Sequence, residues 1–227
     1  MNINILFEDK FFIICEKPPG VLSEADGSGN DIISMLYEQR GTECLLVHRL
    51  DRDTGGAMVV AKTSAAASRI SAMIQNHEFS KEYLAIVTGI PEKQAGTFND
   101  LLFRDKRKNK SFVVNNPRKG VKEASLEYRI LCSGEYENKT GEHSSVSLAQ
   151  IRLHTGRTHQ IRVQFASRKM PLIGDSRYGS SEKKCKTALW SFRINFTHPF
   201  TKKTIDVKSI PPKIFPWDIF EIPYPDI

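Results

Sequence analysis

Cysteine is scarce in this chain of 227 residues: Cys15, Cys44, Cys132 and Cys185 lie far apart, with no CxxC pair. Neither a zinc site nor a disulfide framework is suggested, and the four read as reduced, mostly buried thiols. Long hydrophobic runs are missing too. The longest early one, FFIIC (11–15), is far too short for a signal core or a membrane span, and the N-terminus turns acidic by Glu8. A cytoplasmic protein with no membrane partner is expected. Nucleotide-binding glycine patterns are lacking as well: there is no Walker loop and no glycine-rich turn from strand to helix. The nucleophile elbow GxSxG, the zinc motif HExxH and the PCxxC pair of nucleobase deaminases are likewise absent. His154 and His159 are five apart with no acidic partner between them, so structural or substrate-contact roles are favoured over metal binding. No metal and no organic cofactor is expected.

What is present begins with charge. At 40% hydrophobic and 26% charged, the composition is that of a soluble globular protein able to bury a core. The net charge of +7 hides an asymmetry, because residues 1–50 hold eight acidic and four basic side chains and the remainder is strongly basic. Residues 104–122 (RDKRKNKSFVVNNPRKGVK) carry eight Lys or Arg against the single Asp105. Such a run is either a solvated, mobile hairpin or a flap that binds a polyanion through counterion release.

Periodicity places the elements. FFIICEKP (11–18) reads as a strand stopped by Pro18, Pro19 and Gly20, and residues 31–39 as a short helix. AMVVAKT is a second strand, and Ser64 is expected to cap a helix whose Ala66, Ile70, Met73, Ile74 and His77 share one face. KEYLAIVTG (81–89) is a third strand. SLEYRILC and SVSLAQIRL alternate as half-buried antiparallel strands do. GRTHQIRVQFASR, from Gly156, is helical in pattern; TALWSFRINF and KTIDVK are strands, followed by a proline-punctuated tail. No repeat, linker or domain boundary is visible. The economical fold is one α+β domain with a largely antiparallel mixed sheet.

Two motifs are dense in chemistry. VHRLDRDTGG (47–56) packs two aspartates, two arginines and a histidine beside a strand. It imitates a calcium loop with Asp51, Asp53 and Gly56 at the first, third and sixth positions, but Lys62 stands where the twelfth-position Glu belongs. It also differs from the kinase HRD loop, and no DFG triplet accompanies it. In HTGRTHQIRVQFA (154–166), a helix would project His159 and Arg162 together while Ile161 and Phe165 face the core. That guanidinium is available to a carboxylate elsewhere, and Asp51 is the natural candidate.

KPPGVL (17–22), HRLDRDTGG (48–56), KEYLAIVTG (81–89), TGRTHQIRVQFA (155–166), GDSRYG (174–179) and FTHP (196–199) together resemble the RluA family of pseudouridine synthases, in that family's order. The resemblance implies a cofactor-free isomerase that detaches uracil from its ribose in RNA, turns it and rejoins it through C5. It implies Asp51 as the catalytic group, nucleophile or base, Tyr83 as the tyrosine of KxYxA, and Arg162 as the ion-pair partner of the aspartate. Arg49 is similar to the residue that enters the RNA stack when the target base leaves, and Leu189 maps to an active-site aliphatic. His48, Arg52, Thr54, Arg157 and His159 are expected to contact substrate, and Lys106, Arg107, Lys108 and Lys110 the RNA backbone. The chain departs from many relatives, which have Ser where Gly55 or Gly56 lies and often His in place of Trp190.

The chemistry of the residues fits this. An aspartate acting on a nucleoside must stay ionised in a shielded pocket, where burial alone would raise its pKa and a neighbouring arginine counters the rise. Tyr83 stacks on the base or takes the C5 proton. The expected partner is structured RNA, either rRNA or tRNA and not DNA, bound by a monomer. Because KPPGVL already begins at Lys17, residues 1–227 are expected to be catalytic domain with no separate N-terminal RNA-binding module. The alternative is a non-catalytic RNA-binding protein that keeps the fold; intact Asp51, Tyr83 and Arg162 argue against it.

Overall fold

The computed structural model describes residues 2–27, 29–137 and 141–221. They cluster into two compact units, one within residues 2–83 and 190–211, the other within residues 84–189 and 212–221. The end of the C-terminal tail, 222–227, lies outside the described residues.

The first unit is built on the apolar strands expected. β1 (Asn4–Glu8) runs antiparallel to β2 (Phe12–Lys17), which pairs antiparallel with the wholly buried β4 (Gly55–Ala61), from Phe12 opposite Ala61 to Lys17 opposite Gly56. The two-residue β3 (Leu45–Leu46) also pairs with β4. A parallel pairing follows: Trp190 and Ser191 of β10 (Leu189–Thr197) lie opposite Gly55 and Gly56, and β11 (Thr204–Lys208) is antiparallel to β10. Helix α1 (Ile32–Arg40) is capped by Asp31, whose carboxylate accepts from the Ser34 N–H at 2.9 Å. Helix α2 (Ser64–Gln75) packs Ile70 on Phe12, Ile14, Val59, Phe79 and Phe196.

Two details of α2 differ from expectation. Its N-cap is Thr63, not Ser64: Thr63 has extended backbone, and its hydroxyl accepts from the Ala66 N–H at 3.2 Å. His77 falls outside the helix with a φ of 61°, so the apolar stripe ends at Ile74.

The chain passes to the second unit within β5 (Phe79–Thr88). There β6 (Ala95–Asp105), β7 (Lys110–Val114), β8 (Val121–Glu137) and β9 (His143–Leu153) form an antiparallel array in the order β9-β8-β6-β7. The long alternating strands β8 and β9 are the half-buried pair read from SLEYRILC and SVSLAQIRL. With three α-helices among the described residues and mostly antiparallel pairing, the α+β class holds.

The helix expected from Gly156 is shorter. α3 spans Gln160–Ala166, and His159 is its N-cap in the left-handed conformation, with a φ of 54°. Gln160 prevents an earlier start. Its Oε1 accepts from the Arg157 N–H (3.0 Å) and the Thr155 hydroxyl (2.8 Å), and its Nε2 donates to the Ser125 carbonyl (3.0 Å), which holds 155–159 as a turn. Every residue from Gln160 to Phe165 is buried, so α3 has no solvent face on which His159 and Arg162 would project together.

Candidate active site

The loop around Asp51 is held by backbone groups of the first unit. The Ser23 hydroxyl donates to the Leu50 carbonyl (2.8 Å) and accepts from the Leu50 N–H (3.0 Å). The Arg52 carbonyl receives the Gly20 N–H at 2.8 Å and the Lys17 ammonium at 3.0 Å. Lys17 has no solvent exposure, and its Nζ also donates to the carbonyls of Pro18 (3.0 Å) and Val21 (2.8 Å). A buried cation among carbonyls thus ties KPPGVL to the residue next to Asp51, with the Thr54 N–H closing the turn onto the Asp51 carbonyl at 3.0 Å.

The glycine pair then has a steric reason. Gly56 has a φ of 105°, and a Cβ there would lie 2.3 Å from the Ser191 carbonyl oxygen. A Cβ on Gly55 would lie 2.3 Å from the Trp190 ring. Trp190 is itself buried, its indole N–H bonded to the Ser209 carbonyl at 3.0 Å.

Asp51 is half-buried and near enough to Tyr83 to act on it. Burial raises the Tyr83 phenol well above the ordinary tyrosine range, and the Asp51 charge raises it further. The neighbouring Ser191 hydroxyl pulls the other way, although its Oγ completes no hydrogen bond of standard geometry. Tyr83 is therefore a neutral phenol at physiological pH.

Around this pair the expected contact residues divide. Arg49 is exposed and paired with exposed Glu24 at 2.6 Å, while Arg52, also exposed, donates Nε to the Gly20 carbonyl at 3.2 Å. Thr54 is buried. His48 anchors the loop: its Nε2 accepts from the Val59 N–H at 3.0 Å, and its ring lies against Phe79. Burial holds His48 neutral, the charge of Lys81 adding to the effect, and its buried Nδ1 has no hydrogen-bond partner. Lys81 is pushed down to about 8 by burial, with its ammonium over the Phe79 ring.

In the second unit Arg162 is buried and meets a carboxylate that the sequence reading did not single out. Its Nε and Nη2 donate to the two oxygens of Asp175, at 2.7 and 2.8 Å. Asp175 opens the short turn Ser176–Tyr178, and the Tyr178 ring lies 5.3 Å from the guanidinium. Tyr178 joins two further elements, β7 and the start of α3: its hydroxyl accepts from the Ser111 N–H (2.8 Å) and shares a hydrogen bond with His159 Nδ1 (3.0 Å), and its ring lies under Lys110. Arg157 donates Nε to the Glu123 carbonyl at 2.8 Å, and Leu189 is buried.

The basic run 104–122 runs from the end of β6 through the β6–β7 hairpin to the start of β8. Asp105, its lone acid, builds the tip by accepting from the N–H groups of Arg107 (2.9 Å) and Lys108 (3.1 Å). Arg177 holds the tip from beneath by donating to the carbonyls of Lys108 (3.3 Å) and Asn109 (3.0 Å). Lys106, Arg107 and Lys108 remain exposed.

The known family that matches is RNA pseudouridylate synthase, over residues 11–167. The chain belongs to the RluA family of RNA pseudouridine synthases. It is 32% identical over 244 residues to an uncharacterized RNA pseudouridine synthase of Aquifex aeolicus, covering 99% of this chain and 70% of that protein. It is 31% identical over 232 residues to ribosomal large subunit pseudouridine synthase D of Zymomonas mobilis, covering 93% and 70%. The fold is that of human RNA pseudouridylate synthase domain containing 1, with a TM-score of 0.79 at 22% identity over 94% of this chain and 85% of that one. This synthase is an isomerase that converts uridine in RNA to pseudouridine. Lys17 and Asp175 lie inside two stretches that carry the resemblance, KPPGVL and GDSRYG, so a signal for both was present. What concealed their roles is that a lysine and an arginine–aspartate pair are seldom so deeply buried.

Proposed function

We propose that Asp51 carries the reaction on structured RNA, with Tyr83 beside the flipped base and Arg162 as the cation that keeps the aspartate ionised. The C1′–N1 bond breaks, uracil turns, and C1′ bonds to C5; the C5 proton is lost and N1 gains one, so the product is an isomer. A carboxylate serves as nucleophile or base in this sequence only while ionised. The observation that carries the reading is the placement of Asp51 on a loop braced by buried Lys17 and electrically coupled to buried Tyr83. A phenol held neutral is a poor base, which favours stacking on the uracil as the role of Tyr83. The role of Arg162 rests on the family resemblance.

A uridine within folded RNA hides its glycosidic bond and has to be flipped out, at a cost that stacking and phosphate contacts offset. Arg49 is the side chain proposed to enter the vacated stack, giving up its surface pair with Glu24, a pair of the exposed kind that contributes little. Arg52, Arg157 and the exposed hairpin cations Lys106, Arg107 and Lys108 are proposed to meet phosphates. The substrate is proposed to be rRNA or tRNA, bound by a monomer in the cytoplasm without a cofactor. The Zymomonas mobilis relative is named for the large ribosomal subunit, which makes rRNA the first place to look. Mapping pseudouridines across all RNAs in strains with and without the gene tests this. Loss of one or a few defined sites is expected, and an unchanged map contradicts it.

A further inference from the structure

The pair formed by Arg162 and Asp175 is more constrained than stability requires. Arg162 is 7% and Asp175 1% exposed, and two guanidinium bonds run to the one carboxylate. Buried ion pairs of this kind are often replaceable by apolar side chains at no loss of stability. Their two-pronged geometry does something an apolar contact cannot: it fixes the plane of the guanidinium.

The carboxylate is itself fixed. Gly174, which precedes it, has a φ of 76°, and a Cβ there would lie 2.3 Å from the Lys186 carbonyl oxygen. The Gly174 N–H donates to the Ser180 hydroxyl (3.1 Å), and the Asp175 carbonyl accepts from the N–H groups of Tyr178 (3.1 Å) and Ser180 (3.0 Å). The turn 174–179 is thus clamped on both sides of Asp175. Tyr178 from the same turn presents its ring to the guanidinium at 5.3 Å. One turn therefore supplies both the edge and the face that orient Arg162.

We propose that Asp175 is the positioning residue for Arg162, its clamped carboxylate holding the guanidinium in the single orientation that the reaction uses. This rests on the reading that Arg162 serves the reaction. Asp175 acts through Arg162 and touches no reacting atom. Removing its charge should leave RNA binding intact and slow the chemical step, because a misoriented group costs about ten- to a hundredfold in rate.

The test uses the full chain as wild type, Asp175→Asn, Asp175→Glu, Arg162→Lys and the double variant Asp175→Asn/Arg162→Lys. Single-turnover tritium release from 5-tritiated bulk RNA of a strain lacking the gene gives the rate. Filter binding of the same RNA gives the affinity, and thermal melting reports the fold. Asp175→Asn is expected to slow release at least about tenfold with affinity within about twofold, Asp175→Glu to recover part of the rate, and the double variant to be no slower than Arg162→Lys alone. A folded Asp175→Asn at the wild-type rate, or losses that multiply in the double variant, would overturn the inference. If Asp175→Asn does not fold, Asp175→Glu decides: a slowed rate at unchanged affinity and melting supports the inference, and a wild-type rate overturns it. Arg162→Lys at the wild-type rate removes the role of Arg162 and this inference with it. Arg162→Lys slow beside a fast Asp175→Asn sinks only the inference.

Discussion

The Gly55–Trp190 contact makes a quantitative case for why a residue without a side chain stands opposite this indole. A Cβ on Gly55 would stand 2.3 and 2.6 Å from two Trp190 ring carbons and 3.0 Å from Pro19. The backbone at Gly55 is not in the left-handed region, so the obstacle is side-chain crowding, with the indole much the closer neighbour. Gly55→Ser should therefore cost about 1–3 kcal/mol, the usual range for overpacking, and lower the melting temperature by roughly 2–12 °C. Replacing Trp190 by histidine removes the opposing ring carbons. In a Trp190→His background the same serine should then cost under about 0.5 kcal/mol, a coupling of at least about 1 kcal/mol across the cycle. Gly56→Ser is the control: its φ is 105° and its obstacle is the Ser191 backbone oxygen at 2.3 Å, so Trp190→His should not rescue it. Urea unfolding followed by far-UV circular dichroism measures all variants without relying on tryptophan emission. Equal cost for Gly55→Ser in both backgrounds would refute the steric argument. A rescued Gly56→Ser would show that the obstacle there is also the indole and would refute the argument at Gly56.

Three further outcomes follow from the same geometry. Arg162→Ala leaves buried Asp175 uncompensated, a loss on the order of 3–5 kcal/mol, and should lower the melting temperature by roughly 6–20 °C with loss of turnover; an unchanged melting temperature would show that the pair is not formed in solution. Neutralising Lys106, Arg107, Lys108 and Lys110 together should weaken binding to all RNAs alike and flatten the dependence of log affinity on log salt by up to about 0.7 per lost contact; an unaltered slope would make the hairpin a solvated surface. Lys81, pushed down to about 8 by burial, is costly to the fold while charged and sheds that cost as pH rises from about 8 toward the unfolded lysine value of about 10.4. Lys81→Met should thus be more stable than wild type near pH 7, by at most about 2 kcal/mol given partial exposure, with the advantage shrinking toward pH 10; a constant difference in urea midpoint would contradict this.

What could be read before folding was whatever depends on local pattern. FFIIC and AMVVA are continuous apolar runs and lie in the largely buried β2 and the wholly buried β4, and the alternation of SLEYRILC and SVSLAQIRL became β8 and β9. The start of α3 was misplaced because Thr155, Gly156 and Thr158 are neutral to a periodicity argument, whereas the turn they form is set by Gln160 reaching back to Arg157 and across to Ser125. The hairpin was legible from its charge, but its supports were not, since Arg177 and Tyr178 reach it from more than sixty residues away in sequence. Asp51 stood out through a dense motif, and Tyr83 through the family resemblance of its strand KEYLAIVTG. Lys17 and Asp175 did not, because charged residues are ordinarily exposed, and only the tertiary structure shows a lysine enclosed by three carbonyls or a carboxylate 1% exposed against a guanidinium.

The central claim is that Asp51 performs the isomerisation, and one paired measurement addresses it directly. Wild type and Asp51→Asn are each given 5-tritiated bulk RNA from a strain lacking the gene, and tritium release and RNA affinity are read on the same sample. The substitution removes a charge and a nucleophile but almost no volume, so the protein should still fold and bind. Release should be abolished in Asp51→Asn while affinity stays within a small factor of wild type or improves slightly, as one negative charge facing the RNA is gone. Release near the wild-type rate from Asp51→Asn would contradict the assignment of the catalytic group.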